Sequence, residues 1–274
     1  MRKSARRTTA AAAVCAALLG AVGLFAPTAQ ARAQATVSLS PARGSVGRAP
    51  GTAPLPGVEG QSATVTRPDG TQAQFALFSV NSPTNVTVWY QTQSVPGGTF
   101  GAWTQVSTMT VNFQNALLAA ASDTDGSLEV FTIGFQAGGL VRIHQSGENG
   151  AWSAPESFAP AGVGVPRFFG APVAFQRSDG TLVLFEDFQG SGSPELYVDE
   201  QSAPGVWGAW TDLGAGPLPA TVATPSSVTE APDGTLTAVS HMWDAPSMFA
   251  RISQSPTGSW GPWHACTSSG CANG

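Results

Sequence analysis

The 274-residue chain contains one lysine, Lys3, and only two tyrosines. After residue 33 its fixed cations are seven arginines (43, 48, 67, 142, 167, 177 and 251), facing all 17 acidic residues, so this part carries 7 − 17 = −10. With no basic cluster, it has nothing to neutralise a phosphate backbone, and nucleic acid is not an expected partner. Anionic lipid surfaces are disfavoured for the same reason. Three cysteines are too few for a disulfide framework, and His144, His241 and His264 fall at unmatched positions. Neither a metal site nor a cofactor is expected. No long apolar run follows Phe25, which argues against membrane insertion.

The N-terminal stretch reads as a targeting segment. Arg2, Lys3, Arg6 and Arg7 precede an Ala/Leu/Val-rich run to about Phe25, and Ala29-Gln30-Ala31 offers a cleavage site. Residues 1–33 are therefore expected to be a secretory signal peptide of a bacterial protein, and the mature chain to be secreted. In an oxidising compartment Cys266 and Cys271, five apart, are expected to pair as a small local disulfide. Residues 34–60 form a Pro/Gly-rich leader. Within it 34–40 (QATVSLS) is either a closing strand or a disordered lead.

What the chain has in abundance is self-similarity. Asp69-Gly70, Asp125-Gly126, Asp179-Gly180 and Asp233-Gly234 are spaced 56, 54 and 54 residues apart. A Gln-Ser turn followed by an aromatic gives a second marker: Phe100, Trp152, Trp207 and Trp260, spaced 52, 55 and 53. Two markers with one period define four repeats, approximately 61–107, 116–158, 171–214 and 226–267, within a domain spanning 61–274. Each repeat reads as four short strands. Asp-Gly marks a tight hairpin, and the strand after it keeps Phe75, Phe131, Phe185 and Val239 five residues beyond the glycine, a core position. One such sheet cannot cover both its faces alone, so the fold expected is an all-β β-propeller of four four-stranded blades, or of five with a degenerate blade split between the ends.

The fourth strand raises a question of its own, since Trp207-Gly-Ala-Trp210 places two indoles three residues apart. In a regular strand such residues point to opposite faces. The first aromatic, present in all four copies, then suits a wedge between blades. The second (Trp103, Pro155, Trp210, Trp263) is lost in one copy and is the better ligand platform.

Asp-Gly-Thr/Ser-Leu-x-Val/Leu-Phe at 125–131 and 179–185, the Gln-Ser/Pro-Gly turn, and Trp-Gly-x-Trp followed by Leu-Gly at 207–214 resemble the PLL-type (fucose-binding) β-propeller lectins, whose look is shared by tachylectin and tectonin repeats. The resemblance covers about 210 residues. It implies sugar binding in shallow pockets between adjacent blades, at most about four of them here. The chain departs from the family in having four recognisable units, with the second Trp missing from the second and Val239 replacing Phe in the fourth.

A sugar stacks its C–H face on an aromatic ring and hydrogen-bonds through its hydroxyls. The candidate sugar-binding residues are accordingly Trp89, Trp103, Trp210 and Trp263, then Tyr197, with packing between blades as the structural alternative. Arg142 and Arg251 are expected at the rim. Two further classes compete: a scaffold propeller that binds protein or cell-wall polymer, and a glycosidase. Glycoside hydrolysis needs two carboxylates in one cleft, whereas the adjacent pairs Glu186-Asp187 and Asp199-Glu200 supply one group each to any face, and no sialidase-type box is present. Asp123-Thr124-Asp125-Gly126 lacks the glutamate that would complete a calcium loop. The expectation is a carbohydrate- or glycoconjugate-binding protein that is not an enzyme.

Overall fold

The computed structural model describes residues 58–79, 85–110, 117–134, 139–163, 171–189, 194–217, 222–242, 245–267 and 271. Residues 34–57 of the leader, the expected closing strand at 34–40 among them, lie outside these, while 58–60 open the first strand. The described residues are all β. Sheet one comprises β1 (Val58–Thr66), β2 (Gln72–Ser79), β3 (Asn85–Thr92) and β4 (Thr104–Thr110). Sheet two comprises β5 (Leu118–Ser122), β6 (Leu128–Gly134), β7 (Gly139–His144) and β8 (Glu156–Ser157). Sheet three comprises β9 (Val173–Gln176), β10 (Leu182–Gln189), β11 (Pro194–Ala203) and a fourth strand in two pieces, β12 (Val206–Trp207) and β13 (Thr211–Gly214). Sheet four comprises β14 (Val222–Glu230), β15 (Leu236–Met242), β16 (Ala245–Gln254) and β17 (His264–Cys266). Every pairing is antiparallel and follows chain order, and the first strands β1, β5, β9 and β14 pack successively on one another. These are propeller blades.

The Asp-Gly turns work identically in all four sheets. Asp69, Asp125, Asp179 and Asp233 each accept the N–H two residues on through Oδ1, at 2.8, 2.9, 2.9 and 3.0 Å. This caps the turn and leaves the glycine in the left-handed region, at φ +88 for Gly180. A Cβ on Gly180 would also lie 1.8 Å from the methyl of Thr124 in the neighbouring sheet, so this turn is pinned twice.

The core consists of three seams between successive sheets. Alternation along β6 sends Leu128 and Val130 towards sheet one and Phe131 and Ile133 towards sheet three. The third seam gathers Val183, Phe185 and Val198 of sheet three against Leu236, Ala238 and Ile252 of sheet four. Into each seam the later sheet inserts its first aromatic, edge-on to the earlier sheet's phenylalanine: Trp152 on Phe75 (6.0 Å), Trp207 on Phe131 (5.5 Å) and Trp260 on Phe185 (5.7 Å). The glutamine of each Gln-Ser pairs with that aromatic: Gln93 with Phe100, Gln145 with Trp152, Gln201 with Trp207 and Gln254 with Trp260.

The regular-strand expectation for Trp-x-x-Trp is corrected here. Between Trp207 and Thr211 the strand is interrupted, and Gly208 N–H turns back to the Glu200 carbonyl at 3.0 Å. The break re-phases the side chains, so Trp207 and Trp210 both pack in the second seam and Trp260 and Trp263 both in the third. The two indoles share a face. Cys266 and Cys271 are bonded, with their Cα atoms 5.4 Å apart.

Candidate functional site: the clefts between sheets

A cavity of about 350 Å³ opens in the third seam, between sheets three and four. Its polar lining is Glu200, Thr211, Asp212 and Ser259, beside the Trp260 indole and over an apolar floor of Leu213 and Ile252. Local structure explains who arrives. The break that follows Trp207 restarts the strand at Thr211 and delivers Thr211 and Asp212 to the cleft. Alternation on β11 buries Asp199 and turns Glu200 outward. The Pro256–Gly258 turn of sheet four supplies the opposite wall.

Glu200 is held firmly. Its carboxylate accepts the Trp260 indole N–H at 3.1 Å and the Gln254 amide, and it pairs with Arg177. Asp212 is exposed and accepts the Gly214 N–H at 2.7 Å. A half-buried indole flanked by two carboxylates and two hydroxyls suits a polyhydroxylated ligand, with one apolar face to stack and several fixed hydrogen-bond partners.

None of the five residues expected from the sequence lines this cavity, though Trp210 and Tyr197 meet, both edge-on to Phe188. Trp210 and Trp263 direct their indole N–H groups across a seam, to the carbonyls of Phe158 (3.0 Å) and Leu213 (2.6 Å) in the preceding sheet. Trp103 lies edge-on to Phe78 at 6.3 Å. Trp89 on β3 is half-buried, with its indole nitrogen enclosed and unbonded. Tyr197 is buried edge-on to Phe188, its hydroxyl on Glu195, and burial pushes its phenol up to about 12. Of the recurring aromatics, the one at the cavity is Trp260, from the set expected to be pure wedge. Sequence reasoning missed Asp212 and Ser259 as well, and weighed Glu200 only as one half of an adjacent carboxylate pair. The available signal was variation between copies: the residue before each Gln-Ser is Thr92, His144, Glu200 or Ser253, and only the third is acidic.

Arg142 is not at a rim. It is buried in the second seam, with Nε and Nη2 forked onto Glu129 (2.8 and 2.9 Å) and Nη1 on Glu156 at 2.9 Å. Burial works against its charge, but the ion pairs outweigh that and raise its pKa. Asp123, in the same seam, is pushed up to about 7 by burial and then by the Glu129 charge. Glu186 and Asp187, adjacent on β10, are fully buried and do not line the cavity. Burial, then Asp187, lifts Glu186 well above the carboxylate range, and burial carries Asp187 to about 7. Among the described residues, no group of three or more His, Cys, Asp or Glu side chains is placed to hold a metal.

No protein-family model and no curated protein matches the sequence. Solved structures do match in fold. A protein of unknown function from Dyadobacter fermentans gives a TM-score of 0.55 at 10% identity, covering 75% of this chain and 68% of that one. An α-L-arabinofuranosidase from Fusarium graminearum, solved as a mutant with an iminosugar inhibitor, gives 0.52 at 12% identity, covering 76% and 66%. A lectin from Aleuria aurantia in complex with α-methyl-L-fucoside gives 0.46 at 13% identity, covering 77% and 62%. The chain thus spans about two-thirds of the length of these structures. The protein has a β-propeller fold. The expectation that it is not an enzyme is corrected, because the fold neighbours include a glycosidase and the fold offers no ground for setting catalysis aside.

Proposed function

We propose that this is an exported carbohydrate-binding propeller whose sugar site is the cleft between the third and fourth sheets. The carrying observation is the cavity in which Trp260 stands beside Glu200, Asp212, Thr211 and Ser259. Such a site takes a neutral sugar by stacking it on the indole and bonding its hydroxyls to the two carboxylates. The targeting segment expected at 1–33 supports export, and the resemblance of the repeats to fucose-binding propellers supports a sugar of that size.

A second reading has its own observation: Glu200 and Asp212 line one cleft, and a pair of carboxylates is what glycoside hydrolysis requires. One experiment treats both. The mature protein is screened on a glycan array, and the bound glycans are then incubated with it and analysed for cleavage. Binding that drops at least tenfold in Asp212→Ala and in Thr211→Ala supports the assigned cleft. Binding unchanged in both variants places the site elsewhere. Cleavage abolished by Asp212→Asn establishes hydrolysis.

A further inference from the structure

The three seams are copies of one another, and comparing them exposes a gap. In the second seam the carboxylate of Glu129 accepts the Trp207 indole N–H (3.0 Å), the Gln201 amide (3.0 Å) and the Arg142 fork. In the third, the carboxylate of Glu200 accepts the matching Trp260 indole, the matching Gln254 amide and Arg177. The two acids come from different strands, β6 and β11, yet collect the same two donors plus one guanidinium. In the first seam the donors are all present: Trp152, Gln145 and Arg67, the last three residues before its turn glycine as Arg177 is before Gly180. The acid is missing. The position of Glu129 is occupied by Ala73 and that of Glu200 by Thr92.

The donors are left bare. Trp152 Nε1, Gln145 Nε2 and Oε1, and Arg67 Nε and Nη2 are enclosed and have no hydrogen-bond partner. Arg67 is 5% exposed and Gln145 4%. The one side-chain bond of Arg67 is from Nη1 to Asn149 Oδ1 at 3.2 Å, and no ion pair engages it among the described residues. Asp69 is turned away, its Oδ1 taken by the N–H and hydroxyl of Thr71. A buried guanidinium with two idle donors is costly unless something fills the place. A lone water accepts two hydrogen bonds and carries no charge, whereas a carboxylate offers about four acceptor positions and a full negative charge.

We propose that the first seam binds the carboxylate of an external ligand, seated between Arg67, Gln145 and Trp152 where the protein's own glutamate sits in the other two seams. The exchange of Glu for Thr at 92 and for Ala at 73 leaves the place without an acceptor of the protein's own, and because the donors are enclosed the side chains around them must part to admit the ligand. Gln145 Oε1 remains as an acceptor for a neighbouring hydroxyl, so the ligand class is a hydroxylated carboxylate of the uronic acid type, with acetate as its minimal fragment. This site shares no residue with the cavity of the third seam and stands or falls separately from the sugar reading.

The test is thermal unfolding of the mature protein in sodium acetate, sodium glucuronate, glucose and sodium chloride at matched ionic strength. Both carboxylates should raise Tm, by roughly 3–6 °C at about tenfold excess over Kd, with glucuronate acting at lower concentration than acetate. Glucose and chloride should not. Thr92→Glu restores the internal acid and should melt higher than the parent without ligand, with the carboxylate response gone. Arg67→Met, which removes the idle charge, should fold and also lose the response. Equal shifts in chloride and carboxylate would overturn the proposal. So would a carboxylate response that persists in Arg67→Met.

Discussion

Replacing Glu129 by leucine is the sharpest test of how the sheets are locked together. The carboxylate is 1% exposed and accepts from four groups: Arg142 Nε, Arg142 Nη2, Gln201 Nε2 and Trp207 Nε1. Leucine nearly conserves volume, so the cavity contribution is small and the loss is electrostatic. Arg142 keeps Glu156, which is half-exposed and so compensates weakly. Leaving Arg142 Nε and two neutral donors buried without an acceptor, with Nη2 reduced to its 3.3 Å bond to the Gly205 carbonyl, should cost about 3–5 kcal/mol, the range for breaking one side of a buried ion pair. For a domain of this size the corresponding fall in Tm is roughly 8–15 °C. The assay is urea unfolding followed by tryptophan fluorescence, which reports on all eight indoles, Trp207 among them. The control is Glu129→Leu combined with Arg142→Met. Removing both charges should recover at least half the loss, since the penalty belongs to the stranded cation. A single variant costing under about 1 kcal/mol, or a double variant whose loss is the sum of the two singles, would refute the reasoning.

Three other expectations follow from the same structure. Gly180→Ala should destabilise by about 2 kcal/mol or more and Gly234→Ala by about 1 kcal/mol, because both adopt positive φ but only Gly180 would meet a neighbour, and chemical denaturation of the pair checks the ordering. Asp123 and Asp187 hold their protons more tightly folded than unfolded, so their contribution to stability is fully present below about pH 4 and lost as pH rises through about 7. Tm should therefore fall by roughly several degrees between pH 5 and pH 8, and Asp187→Asn should flatten that slope. Trp210→Phe keeps an aromatic ring edge-on to Phe158 and Phe188 but removes the bond to the Phe158 carbonyl, for a loss of about 1 kcal/mol by urea titration.

The periodic parts of this structure were legible in the sequence because each is set by local chemistry repeated four times. Asp-Gly marks a capped turn wherever it occurs, and a bulky residue five positions on marks a strand with one face buried. The wedge role of Trp152, Trp207 and Trp260 was readable because the aromatic recurs in every copy. The indole pairing was not, since the strand break at Gly208 is visible only through its backbone bond to Glu200. Arg142 looked like a rim residue for want of its partner: Glu129 lies 13 residues earlier, and only the β6–β7 register, pairing Glu129 with His144, makes the two diagonal neighbours on one face. The cavity was hidden for a related reason. Glu200 and Asp212 are informative by differing from their counterparts, and a difference between copies carries meaning only once the face it points to is known.

The acceptor that closes the second seam comes from β6, and the one that closes the third from β11. Near-identical modules on one chain run the risk of docking in the wrong sequence during folding. Here the second and third junctions each have their own key. Arg142 and Arg177 keep the counter-ions of their own sheets in any arrangement, but a module seated against the wrong partner would meet the acceptor on the wrong strand and bury its indole and amide donors unbonded, so assembly out of turn is penalised as it forms.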